Sequence, residues 1–463
     1  MSIEKALSQF EVDKNAHIEK LKQLVRIPSV SFPDFDPKEV VNSANHVAGL
    51  LRELGLDRVE LLYAKDNPRP YVYGEWLKAP NAPTILLYAH HDVQPPGREE
   101  RWKTPPFEPT LKGDRLYGRG AADDKAGVII HTATLQSWLK ATGKLPVNVK
   151  ILIEGEEEIG SPGLASFLAE NSTKLQADIL LLTDTENYST DRPGLTIALR
   201  GIVAMNVEVK ALKSSVHSGM WGGPIPDPAM ALSKMLATLV DADGQIAVKG
   251  LLEQVSPLGD AQIENLKKLG EDEKEFRKQS GLLDHVPLLK GPGGIKEKIW
   301  FRPSITVNAL EASSRKQAAN IIVDGAWAKV SVRLVPDMDP QKVFDLVKKH
   351  LEAQCPFGLK VEVEADGLGS WWKTETKHPA FATILKAMKE EWNAEPVLMG
   401  CGGSIPFVQP FSDALGGAPA LLIGVEDPYT AAHSENESLH MGVFEKSIRS
   451  CIRFFGYAAE LKK

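Results

Sequence analysis

The first part of the chain alternates two hydrophobic periods. Apolar positions recur at helical spacing over residues 3–26 and 38–54, and again in KAGVIIHTATLQSWLKATG (125–143). Between these segments PTILLYAH (83–90), VNVKILIEG (147–155) and ADILLLTD (177–184) are short, nearly unbroken apolar runs, which predict strands. Strands that are apolar on both faces and separated by helices call for a mostly parallel sheet with helices on both faces.

From about residue 201 the pattern changes. IVAMNVEVKA (202–211) alternates apolar and polar positions, as a strand with one wet face does. A helix at 227–241, strands at PSITVNAL (303–310) and WAKVSVRLVP (327–336), a helix at 340–353 and a strand at LKVEVEA (359–365) follow. That order is βαββαβ, the ferredoxin-like split unit, and it predicts a separate α+β domain. The stretch 245–300, rich in Lys, Glu and Gly, reads as a surface excursion within it. After GLGSWWKTETKHP (367–379) the helix-then-strand style resumes, ending in GAPALLIGVED (417–427) and a C-terminal helix. The expected architecture is an α/β domain built from residues 1–201 and 373–463, interrupted by an inserted α+β domain over 202–372.

Composition narrows the function. A length of 463 residues suits two or three domains, and 43% hydrophobic with 25% charged residues excludes disordered and fibrous classes. The net charge is -7 and no basic block is present, so neither nucleic acid nor a membrane is expected as a partner. Cys355, Cys401 and Cys451 are few, odd in number and far apart, which fits a reducing compartment. With a charged N-terminal segment and no apolar run of about 18 residues, the expected location is the cytoplasm.

The chemistry collects at strand ends. LLYAHHD delivers His90, His91 and Asp92; ILIEGEEE delivers four glutamates; LLLTD delivers Asp184; and ALLIGVED is followed by His433. In open α/β sheets ligands bind outside the carboxyl ends of the strands, so these groups are expected on one rim. Histidine with Asp and Glu, without Cys, suits zinc, manganese or cobalt. Residues two apart on a strand face the same side, so Asp92 is placed to accept the second ring N–H of His90, while His91 points away. Asp123 and Asp124, at the start of the 125–143 helix, have a plainer reading as helix caps, and the glutamates as a solvated acidic turn. A phosphate loop at GRG is disfavoured, because no Gly-Lys-Ser/Thr follows and a carboxylate would repel the anion. Two cations would relieve the crowding of like charge and leave one carboxylate able to take a proton from water.

Taken together, YAHHDVQP, LYGRGAADDKAG, EGEEEIGS, LLTD, RGIVAMNVEV, SSVHSGMWGG, VRLVP, GGSIPF and AHSENE occur in the order found in the M20 metallopeptidases, and the chain most resembles the dipeptidase branch of that family, carnosine-type enzymes included. The resemblance implies that His90 and Asp184 hold one metal, that Glu158 and His433 hold the other, and that Asp123 bridges them. It assigns Asp92 to orienting His90 and Glu157 to the general base, and it implies a cis peptide bond between Asp123 and Asp124. The inserted domain resembles the family's lid or dimerisation domain. There His217 matches a histidine that reaches the partner subunit's site to stabilise the oxyanion, and Arg333 matches the residue that binds the substrate's terminal carboxylate. Gly403 and Ser404 lie in the matching substrate loop, and Asn308 is a further lid contact. Two departures stand near the substrate rather than the metals: Gly400-Cys401 replaces the usual Arg-Glu, and Asn320 replaces a usual Thr.

The expected protein is therefore a homodimeric hydrolase, joined through its lid domain. It would cleave dipeptides or short peptides with two divalent ions per subunit, zinc foremost. The alternatives are an amidohydrolase acting on N-acyl amino acids and, more remotely, a metal-stabilised binding module without activity.

Overall fold

The computed structural model describes residues 2–403, 405 and 408–461, the side chains of Ala261 and Gln317 excepted. The chain divides into two units. Met1–Ile197, Thr374–Met399 and Phe407–Lys463 form one, and Ala198–Lys373 with Gly400–Pro406 form the other.

The first unit is built on a large mixed sheet. Its main strands run, in spatial order, Asp57–Tyr63, Pro70–Trp76, Asn148–Glu154, Thr84–His90, Ile179–Glu186, Ala420–Glu426 and Gly194–Leu199. The four from Asn148–Glu154 to Ala420–Glu426 are mutually parallel, and antiparallel strands flank them on either side. The unbroken apolar runs are these parallel strands; every residue of Asn148–Glu154 is buried, as a strand covered on both faces requires.

Alternate residues of Thr84–His90 serve opposite faces. Ile85, Leu87 and Ala89 join the main hydrophobic core, in which helix Lys125–Thr142 lies between Ser2–Val25 and Met441–Ala458. Tyr88 faces the other way, edge-on to Phe411. His90, two residues on, therefore leaves the sheet on the Tyr88 side. Helix Lys125–Thr142 is capped by the Asp124 carboxylate, which accepts from the Gly127 amide at 3.2 Å, and it ends at Gly143 in the left-handed region that glycine adopts freely.

In the second unit the strands Ser304–Glu311, Gly325–Leu334, Gly201–Lys210 and Lys360–Gly369 form, in that spatial order, a fully antiparallel sheet. Helices Pro228–Ala237 and Pro340–Gln354 complete the βαββαβ order. The alternation seen in the sequence is real burial: Val203, Met205, Val207 and Val209 pack against Ala231, Leu232 and Met235 of one helix and Val343, Val347 and Leu351 of the other. Both helices start with an Asp cap followed by proline, Asp227-Pro228 and Asp339-Pro340. The α-helices Asp260–Leu269, Glu273–Ser280 and Ile295–Phe301 and the short 3-10 helix Leu252–Gln254 belong to the 245–300 excursion.

Gly400–Pro406 groups with this unit although it follows strand-forming residues of the first. Arg200 explains the attachment: its backbone amide donates to Gly403 O at 3.2 Å and its Nε donates to Gly402 O at 2.8 Å. Among the described residues no helix is long and apolar enough to cross a membrane.

Candidate metal centre and active site

The parallel strands deliver their ends to one place. His90 closes the strand Thr84–His90, beside Glu154 of the neighbouring strand, and is wholly buried. Its Nδ1 meets the backbone carbonyl of Asp92 at 3.1 Å and the Asp92 carboxylate at 3.5 Å. The expected carboxylate contact is thus the longer of the two. Instead the Asp92 carboxylate accepts from the amides of Glu157, at 3.2 Å, and Glu158, at 3.0 Å, so it shapes the glutamate turn. His91 points away, with Nε2 3.1 Å from Pro70 O.

The run of glutamates sorts by environment. Glu154 is buried and accepts from the Tyr88 hydroxyl at 2.6 Å; burial pushes its carboxyl up to about 8. Glu156 accepts from the Tyr71 hydroxyl, the Asn67 side-chain amide and the Gly163 amide, which makes it a brace for the turn. Glu158 is held by Gln94, whose amide donates to Oε1 at 3.1 Å and whose side chain donates to Oε2 at 2.7 Å. Among the described residues the Glu157 carboxylate makes no hydrogen bond; its Oε2 stands 3.9 Å from His90 Nε2. Burial raises its pKa well above the ordinary range, and the charges of Asp184, Glu158 and Asp123 add to the effect.

Asp123 sits at the centre. The Asp123–Asp124 peptide bond is cis. One carboxylate oxygen of Asp123, Oδ1, lies 3.1 Å from His90 Nε2, and the other, Oδ2, lies 3.0 Å from His433 Nε2. Around the first histidine stands Asp184, 3.7 Å away; beside the second stands Glu158, at 3.2 Å. Asp124, also near His90 and Asp184, is already committed, since its two oxygens accept from the Gly127 and His90 amides.

These residues fit divalent cations. His90 Nε2 is buried without an aligned hydrogen-bond partner although a carboxylate oxygen lies in front of it, which is how a ligand nitrogen stands beside a metal position. The ligand atoms of His90, Asp123 and Glu158 all lie within 4.8 Å of one another, as do those of His90, Asp124 and Asp184. Burial beside Asp123 pushes Glu158 up to about 7, and burial likewise raises Asp184. Positive charge placed among these carboxylates removes that penalty.

The remaining candidates belong to the second unit. His217 is exposed, and its Nδ1 accepts from the Gly219 and Met220 amides at 3.1 and 3.3 Å. That pattern puts the ring proton on Nε2, leaving an N–H donor directed outward. Asn308 is the extra residue of a bulge between Val307 and Ala309, a device that re-aims a side chain. Arg333 is half-buried on strand Gly325–Leu334, opposite Ser304 and Ile202. Gly403 is exposed, its amide 3.3 Å from Cys401 Sγ, and Ser404 lies outside the described residues. Gln94 was missed by sequence reasoning, although it lies two residues beyond Asp92, as Asp92 does beyond His90. Glu437 was also unassigned, and it accepts from the Asp123 amide at 3.1 Å.

An α/β sheet with histidines and carboxylates gathered at its strand ends, interrupted by an α+β unit, defines a metallopeptidase. The model of peptidase family M20/M25/M40 matches residues 86–460, and the chain belongs to that family. It is similar to the Cys-Gly metallodipeptidase DUG1 of Candida albicans, with 32% identity over 96% of this chain and 94% of that protein. Among solved structures it resembles the dipeptidase Dug1p from Saccharomyces cerevisiae, with TM-score 0.88, 26% identity and all of both chains covered. It also resembles human carnosine dipeptidase 1, with TM-score 0.89, 26% identity, and 100% of this chain and 99% of that one covered.

Proposed function

We propose that the protein hydrolyses the peptide bond of dipeptides or short peptides, using two divalent cations with Glu157 as general base. The observation that carries this reading is Asp123, whose two oxygens face two different histidines at 3.1 and 3.0 Å. His90 and Asp184 would hold one cation and His433 and Glu158 the other, with Asp123 shared. Histidine and carboxylate donors without Cys suit zinc, and accept manganese or cobalt. When bound, such ions acidify a water and polarise the scissile carbonyl.

The chain's own residues supply the rest. Glu157, free of hydrogen bonds among the described residues, takes the water's proton on its carboxylate and passes it to the leaving amine. Asp92 fixes where that carboxylate starts, through the Glu157 amide. His217 offers its Nε2 proton to the carbonyl oxygen as charge develops there. Arg333 pairs with the terminal carboxylate of the substrate, with Gly403 and Ser404 in the substrate loop and Asn308 as a further lid contact.

We further propose that the protein is a dimer joined through the second unit, with His217 serving the partner's site; the exposed Met220 and Trp221 next to it supply apolar surface for such a contact. The three free cysteines suit a cytoplasmic location. The deciding variant is Glu157→Gln. It should keep the wild-type metal content while turnover falls by about 10²–10⁴; comparable turnover removes Glu157 from this role. A panel of dipeptides with free amino ends against N-acyl amino acids separates a dipeptidase from a deacylase, and a preference for the acylated set overturns the dipeptide reading.

A further inference from the structure

The backbone that carries His433 is unusual. Ala431, His433 and Asn436 have φ of 57°, 60° and 68°, the left-handed region that residues with a Cβ disfavour. Three such residues within six do not stay there unless outside contacts hold them. Among the described residues, the outside hydrogen bonds to Ser434, Glu435 and Asn436 come from residues 98–119. Arg98 Nε donates to Glu435 at 2.7 Å, the Lys103 amide donates to the Asn436 side chain at 2.6 Å, and Arg119 Nη2 donates to Ser434 O at 3.0 Å. Just beyond, Ser438–His440 pairs as a strand with Arg115–Tyr117.

Glu437 completes the attachment from the other side. It is wholly buried, and both carboxylate oxygens are used. Oε2 accepts from Arg119 Nη1 at 2.8 Å and from the Gly120 amide at 2.9 Å. Oε1 accepts from the Ala122 amide at 3.0 Å and the Asp123 amide at 3.1 Å. Arg119, 1% exposed, thus grips both ends of the problem: the carbonyl next to His433 and the carboxylate that holds the Asp123 loop. A carboxylate buried with four donors is fixed in position, and so is whatever chain it binds.

We propose that Glu437 and Arg119 are positioning residues that set Asp123 and His433 at ligand spacing before any cation arrives. This rests on the reading of Asp123 and His433 as ligands. The loop 119–123 and the loop 430–437 then behave as one preformed cradle rather than as two flexible arms drawn together by the metal.

The test measures zinc affinity of the full chain by titration against a competing chelator, beside kcat, KM and the melting temperature of the zinc-free form. In Glu437→Gln one acceptor oxygen becomes an NH2 facing amide donors, and zinc affinity should fall about 10- to 100-fold, with kcat lowered and KM near wild type. A purely structural role would lower the melting temperature and leave the zinc affinity of the folded protein unchanged; that result overturns the proposal. Arg119→Lys keeps the charge opposite Glu437 but loses the fork, and should show a smaller loss of affinity; if Glu437→Gln does not fold, wild-type affinity in Arg119→Lys overturns the proposal instead. In zinc-free wild-type protein the Ala122 and Asp123 amides should be protected from hydrogen exchange, and exchange at the rate of an open chain sinks the preformed cradle. His433→Ala separates the two levels. Unchanged zinc affinity there refutes the ligand reading itself, whereas a loss there without one in Glu437→Gln refutes only the positioning.

Discussion

Asp123 and His217 are both proposed to act on the same bond, and their settings are opposite. Asp123 is 6% exposed, donates its amide to Glu437, and faces a histidine with each carboxylate oxygen. His217 is exposed, and its ring is fixed by two amides two and three residues along the same chain. The same contrast runs through the two units. In the first, Asp92, Gln94, Asp124 and Glu437 brace the cluster through hydrogen bonds that span up to 318 residues, counted between Arg119 and Glu437. In the second, His217, Asn308 and Gly403 stand on an exposed strand end, a bulge and a loop. The carboxylates Glu157, Glu158 and Asp184 are electrostatically costly as they stand, and the proposed cations would relieve that cost. The exposed groups are cheap to keep, and the roles proposed for them would need substrate or another subunit.

Metal removal tests the first half of that contrast and should give the largest effect. Chelation should abolish turnover, because cation stabilisation of the developing charge is worth several kcal/mol, about a thousandfold or more in rate. Adding back zinc, manganese or cobalt should restore it, and activity indifferent to chelators refutes the two-cation mechanism. The same titration followed by thermal unfolding should show the first unit stabilised, by about 4 kcal/mol when free cation exceeds Kd about a thousandfold. An unchanged transition would mean that the crowded carboxylates do not bind the ion.

His217→Ala tests the other half. Turnover should drop by about 10²–10³, the usual cost of losing one oxyanion donor, while stability shifts by no more than about 0.5 kcal/mol, as for other exposed side chains. Mixing this variant with Glu157→Gln should restore part of the activity if each dimer combines one intact base with one intact His217. A chain that sediments as a monomer while fully active removes the action between subunits.

The buried cluster was also the more legible half. Unbroken apolar runs, each ending in a histidine or carboxylate, are local signals, and the rule that ligands gather at parallel strand ends joins them without knowledge of long-range contacts. Strand alternation predicted that His91 points away from His90 and Asp92, and the structure turns His91 to Pro70 O. What Asp92 does was less legible, because its carboxylate bonds to amides 65 and 66 residues away and no nearby pattern announces them. The edge strand Asp57–Tyr63 and its neighbour Pro70–Trp76 were also missed: the first is half-exposed with no clean alternation. The attachment of Gly400–Pro406 to the second unit depends on Arg200, 202 residues before Gly402, and the bulge at Asn308 interrupts a strand whose sequence alternates from Ser304 to Ala309.

The smallest expected effect concerns the edge of the cluster, at Glu154. This carboxyl is buried behind Tyr88, and burial pushes it up to about 8 from an ordinary value of 4.5, so the folded metal-free protein keeps it protonated at neutral pH. Because the folded-state value lies above the ordinary one, its contribution to stability is complete below about 4.5 and is lost as pH rises through about 8. Glu154→Gln presents nearly the same shape, still accepts from the Tyr88 hydroxyl, and cannot ionise. The variant should therefore match wild type in thermal unfolding at acid pH and exceed it at alkaline pH, so that its melting temperature varies less across that window. Metal content and turnover near neutral pH should stay close to wild type, since Glu154 reaches none of the proposed ligands by a hydrogen bond. An unchanged pH dependence of unfolding would show that Glu154 is solvated rather than walled in, and that the buried character of the rim stops short of the first glutamate in the run.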